Sequence, residues 1–111
     1  MVDLTFLKQF TKGDTAKMKR YIKIYLQMTP QTLRDMQGHL KNKNWTQLGI
    51  SAHSLKPQAD FMGVATLKNT LMQIEQGVKS GQVAKMAPLY QKAVQIYRQS
   101  EQVLQRHLRD L

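Results

Sequence analysis

The chain has 111 residues, enough for one hydrophobic core and too few for a core plus a separate catalytic module. Hydrophobic residues make up 41% and charged residues 22%, which excludes disorder from end to end; the absence of Cys excludes disulfides, thiolate catalysis and cysteine-type zinc sites. Seventeen Lys and Arg against seven Asp and Glu give a net charge of +10, which points to an anionic partner.

Apolar residues recur three and four apart, and hairpin signals are nearly absent, so the chain reads as all-α. Leu4, Leu7 and Phe10 suit a short first helix, with Lys12-Gly13-Asp14 as its stop and as the N-cap of the next. The second helix carries the stripe Met18, Tyr21, Ile22, Tyr25, Leu26, Leu33, Met36 and Leu40, and Pro30 should kink or split it. Asn44 is placed to cap a third helix opening at Trp45. Leu48, Ala52, Leu55, Ala59 and Met62 then fall within about 80° of one another, a narrow core-facing seam that Gly63 closes. Leu67, Leu71, Ile74 and Val78 form a fourth stripe, ended by Ser80-Gly81. A fifth helix begins between Val83 and Pro88 and runs to the C-terminus through Tyr90, Val94, Tyr97, Glu101, Leu104 and Leu108.

Four long helices joined by turns of a few residues predict an up-down-up-down four-helix bundle, with the short first helix as a lid and residues 1–111 as one domain. No stretch approaches the ~20 apolar residues of a membrane span, and the N-terminus lacks the pattern of a secretion signal. A cytoplasmic location and no membrane association are expected. The Lys and Arg residues are scattered, without a run of five like charges, so solvated helix faces outweigh a dedicated nucleic-acid surface.

The third helix offers more than packing. With the core seam at 0°, His53 lies near about 140°, Asp60 near about 120°, Gly49 near about 100° and Lys56 near about 80°, all on the face turned from the core. Gly49 costs about 1 kcal/mol relative to Ala in a helix interior, and a bare surface beside an imidazole would let another backbone come close. An imidazole, with an ordinary pKa of ~6.5, is largely neutral near pH 7 and can accept a phosphoryl group. Lys56, on the adjacent turn, could pair with phosphoryl oxygens and disfavour imidazolium. His39 and His107 lack such neighbours and helical metal-site spacing, so no metal is expected. The Met and Tyr residues at helical spacing read as core packing.

Ala52-His53-Ser54-Leu55-Lys56, followed by Gly63, resembles the signature of histidine phosphotransfer domains. Asn44-Trp45 and Leu48 resemble that family's upstream residues, and Ile74-Glu75 falls where it has a Leu-Glu pair on the neighbouring helix. The resemblance implies a phosphorelay intermediate in two-component signal transduction, with His53 as phosphoacceptor, Lys56 as the phosphate-stabilising cation and Glu75 as the imidazole-orienting acceptor. It implies a receiver-docking surface around His53, comprising Gly49, Pro57, Asp60 and Gly63, with receiver domains of hybrid histidine kinases and response regulators as partners. Pro57 stands where the family commonly has Gly, and Gln58 where it has a small residue, which changes the surface offered to a partner. The chain shows no nucleotide-binding loop or Mg²⁺-holding carboxylates, so it is expected to be a phosphocarrier without autokinase activity or cofactor, with Mg²⁺ on the partner receiver only. A monomer is expected. Two alternatives stand beside this reading: an adaptor that docks receivers without chemistry, and a basic bundle that binds nucleic acid or another anionic surface.

Overall fold

The computed structural model describes residues 1–111, and every regular element is helical. Five α-helices follow one another: α1 (Thr5–Phe10), α2 (Thr15–Lys41), α3 (Trp45–Phe61), α4 (Ala65–Lys79) and α5 (Met86–Asp110), with one 3₁₀ turn, Val83–Lys85, before α5. Local chemistry sets these boundaries. The Asp14 carboxylate accepts from the Lys17 N–H at the start of α2, and the Asn44 side chain accepts from the Gln47 N–H at the start of α3. α3 ends in a Schellman turn: Val64 N–H bonds the Ala59 carbonyl, Gly63 N–H bonds the Asp60 carbonyl, and Gly63 takes φ +70°. Pro88 lies in the first turn of α5, where a helix has no use for its N–H.

Each long helix packs on two others, α2 on α3 and α5, and α4 on α3 and α5, so their apolar faces meet around one core. The molecule measures 43 × 19 × 19 Å, and its long axis is close to the ~40 Å of a 27-residue helix. The α3 seam is as its periodicity predicts: Leu48, Ala52, Leu55, Ala59 and Met62 are all buried. On α5 the buried line runs through Met86, Tyr90, Ala93, Tyr97, Ser100 and Leu104, leaving Val94 and Glu101 half-buried at its edge. Of the methionines, 18, 36, 62 and 86 are buried, whereas Met28 is exposed.

Pro30 does not split α2, which runs unbroken from Thr15 to Lys41. The missing Pro30 N–H frees the Leu26 carbonyl, and the buried Tyr97 hydroxyl of α5 donates to it at 3.3 Å. A tertiary bond thus replaces the lost helical one. Tyr25 Oη and Ser100 Oγ, both buried, bond at 3.0 Å across the same helix pair, and Tyr90 Oη donates to the Leu33 carbonyl at 2.7 Å.

α1 rests on this assembly through buried Leu7 and through an aromatic group in which Phe6 and Phe10 meet Phe61 of α3, and Phe10 meets Tyr21 of α2. The segment before α1 is held by Asp3 N–H, which donates to the Gly63 carbonyl at 2.9 Å. A Cβ at Gly63 would lie 1.7 Å from the Asp3 carbonyl oxygen, so only glycine permits this approach.

Candidate functional site

The core seam of α3 forces His53 to the opposite side of the helix, where its side chain keeps 69% of its accessible surface. α4 supplies the floor beneath it. Leu67, Leu71 and Ile74 bury one face of α4, and Glu75, next to Ile74, turns toward α3 with its side chain only 11% exposed. A carboxylate covered to that extent needs partners.

It has two, both from α3. His53 Nδ1 lies 2.5 Å from Glu75 Oε2, and Lys56 Nζ donates to Glu75 Oε1 at 2.5 Å. Their spacing of three residues puts the imidazole and the ammonium on adjacent turns of one helix face, straddling the carboxylate. The Lys56 hydrogen bond is the main cause holding the Glu75 carboxyl below the usual carboxylate range; burial pushes the other way, and the His53 bond adds to the lowering. Glu75 is therefore ionised at neutral pH and can only accept. Nδ1 then carries the ring proton, and the free lone pair belongs to Nε2 on the exposed imidazole.

A shallow depression flanks the ring, lined by Thr46, Gly49 and Ile50 of α3 and by Val78 and Lys79 of α4. The bare surface read from Gly49 is corrected here. Gly49 is half-buried against α4, and a Cβ there would sit 3.3 Å from Val78 Cγ1, so its missing side chain accommodates a neighbouring helix. Ile50 and Lys79 escaped the sequence reading. Their signal was helical spacing, since Ile50 precedes His53 by three residues and Lys79 follows Glu75 by four.

The remaining surface residues divide. Pro57 is exposed one turn beyond His53 and borders an apolar hollow with Tyr21, Ile24, Gln58 and Phe61. Asp60 pairs with Lys68 of α4 at 3.3 Å, so it does not act on Lys56, whose partner is Glu75. Gly63 lies ten residues from His53, about 15 Å along the helix, and is covered by the chain's own Asp3. That contact accounts for the glycine without a docking partner.

The family model of the Hpt domain matches residues 20–111, which includes most of α2 and all of α3, α4 and α5. The chain belongs to the Hpt domain family. Hpt domains are helical phosphocarrier modules with a phosphotransfer role in two-component phosphorelays, where they interact with receiver domains. No curated protein and no solved structure matches this Hpt chain. None of its helices is long and apolar enough to cross a membrane.

Proposed function

We propose that this Hpt protein is a phosphorelay intermediate that accepts a phosphoryl group on His53 Nε2 from the aspartyl phosphate of one receiver domain and passes it to the aspartate of another. The observation that carries the reading is the Glu75 carboxylate shared between His53 Nδ1 and Lys56 Nζ, with the imidazole otherwise open to solvent.

In the accepting step the Nε2 lone pair forms the N–P bond, the P–O bond to the receiver aspartate breaks, and the aspartate leaves as a carboxylate. The ring gains a positive charge while Nδ1 keeps its proton, so the hydrogen bond to Glu75 becomes charge-assisted on both sides and strengthens as phosphorus arrives. Glu75 also fixes the tautomer, so the nucleophilic nitrogen is the outward one. Lys56 stabilises the phosphoryl oxygens, and its ammonium is already held near the ring by the carboxylate that both share. The reverse sequence returns the group to a second receiver.

The receiver brings the aspartate and the Mg²⁺; this protein supplies a positioned carrier and no autokinase activity. Gly49, Pro57 and Asp60 belong to the docking face, with the exposed Ile50 beside them. The four long helices form an up-down-up-down bundle, α1 acts as a lid, and residues 1–111 make one phosphotransfer domain that works as a cytoplasmic monomer. The +10 charge serves encounter with the acidic pocket of a receiver.

The test is transfer. A phosphorylated receiver domain with Mg²⁺ should place acid-labile, base-stable phosphate on the protein and none on His53→Gln, whose circular dichroism should match the parent. Label persisting on His53→Gln would remove His53 as the carrier.

A further inference from the structure

Two prolines lie beyond the first turn of their helices, Pro30 and Pro57, and the fold treats the carbonyls they orphan differently. Proline has no N–H, so the carbonyl four residues earlier loses its helical donor. For Pro30 that carbonyl is Leu26, and Tyr97 supplies the replacement from α5. For Pro57 it is the carbonyl of His53 itself. No side chain replaces that donor: Lys56 and the His53 ring bond Glu75, and the Ser54 hydroxyl donates to Ser51. His53 and Pro57 are both exposed, so this spare acceptor shares the face of the phosphoacceptor ring.

Beyond the Pro57 ring, between α2 and α3, lies the apolar hollow bordered by Tyr21, Ile24, Gln58 and Phe61. Its wall holds a second acceptor without a donor, because Gln58 Oε1 is closed to water and makes no hydrogen bond. A partner that docks over the His53 carbonyl shields it from solvent, so a partner bringing a donor is favoured over one that brings none.

We propose that Pro57 makes the His53 carbonyl a recognition acceptor: the docked partner donates an N–H or O–H to it and inserts an adjoining apolar side chain into the hollow beside Pro57. The proposal rests on the phosphotransfer reading, which makes the partner a receiver domain. Against a net charge of +10 the donor is a neutral group, a main-chain amide or an Asn, Gln, Ser or Thr side chain, because a second cation beside Lys56 would be repelled. Pro57 is in this view a specificity residue that acts through the main chain.

Pro57→Ala and Pro57→Val both restore an N–H to the His53 carbonyl, and Val also keeps most of the apolar bulk. Both should raise the melting temperature, because proline is the poorest residue in a helix interior. Receiver domains from a panel, loaded with acetyl phosphate in Mg²⁺, are offered to the parent protein, and the fastest donor serves as the probe. The KM of transfer should rise about 2- to 10-fold in both variants, the worth of one ordinary hydrogen bond, with the maximal rate held within about twofold. An unchanged KM in Pro57→Ala would overturn the proposal. A Pro57→Val variant restored to the parent value would overturn it too, since apolar contact alone would then explain the surface. Failure of every receiver to label the parent protein would remove the phosphotransfer reading and this proposal with it.

Discussion

Glu75→Gln tests the shared carboxylate most directly, because glutamine keeps the shape and an acceptor oxygen but removes the charge. In the parent, Glu75 Oε2 faces His53 Nδ1 at 2.5 Å, and the phosphorylated ring would be cationic against it. A hydrogen bond involving a charged group contributes about 1.5–3 kcal/mol net, against about 0.5–1.5 kcal/mol for a neutral one. The His53 side chain is 69% exposed, so solvent screening places the difference at the low end, about 1 kcal/mol. At about 1.4 kcal/mol per factor of ten, that is roughly a fivefold shift of the transfer equilibrium toward the receiver. The assay is the partition of labelled phosphate between receiver and Hpt protein after equilibration, with receiver-only hydrolysis subtracted. An unchanged partition in Glu75→Gln would refute the argument that Glu75 stabilises the charged product. A complete loss of labelling would show that the carboxylate does more than stabilise charge.

Two further predictions concern stability. The Glu75 carboxyl is lowered from its ordinary value of 4.5 in the folded protein, so its contribution is fully present above that value and disappears as pH falls through the folded one. Urea unfolding should therefore show the parent losing stability below pH ~4.5 more steeply than Glu75→Gln, and equal slopes would contradict the shared ion pair. Gly63→Ala puts a Cβ 1.7 Å from the Asp3 carbonyl oxygen and imposes φ +70° on an L-residue. It should cost about 1–3 kcal/mol in chemical denaturation and release the amide protection of Asp3; a loss under about 0.5 kcal/mol would refute the close approach.

Helix type, order and most ends were legible because their causes are local. Asp14, Asn44 and Gly63 act within a few residues of themselves, and the α3 seam follows from a period of 3.6. The same period put His53 opposite the seam and Lys56 on the next turn. Glu75 was reached only through the family resemblance, because nothing in the pattern of α4 says which α3 side chains its carboxylate will meet.

Where the reading failed, a residue's meaning lay in a distant contact. Pro30 read as a kink or a split, and the split failed because its cost is local while the compensating Tyr97 hydroxyl lies 67 residues further on in α5. Gly49 looked like an opening because Val78 comes from another helix, and Gly63 looked available because Asp3 comes from the segment before α1. The sequence by itself determined the all-helical class, the caps, the core seam and the placement of a histidine and a lysine on one exposed face, all consequences of short-range geometry. Only the tertiary structure decided that both meet one ionised carboxylate, and that Leu26 but not His53 regains a donor for its carbonyl. Those outcomes depend on how α4 approaches α3 and how α5 approaches α2, and the spacing of residues within a single helix carries no record of that approach.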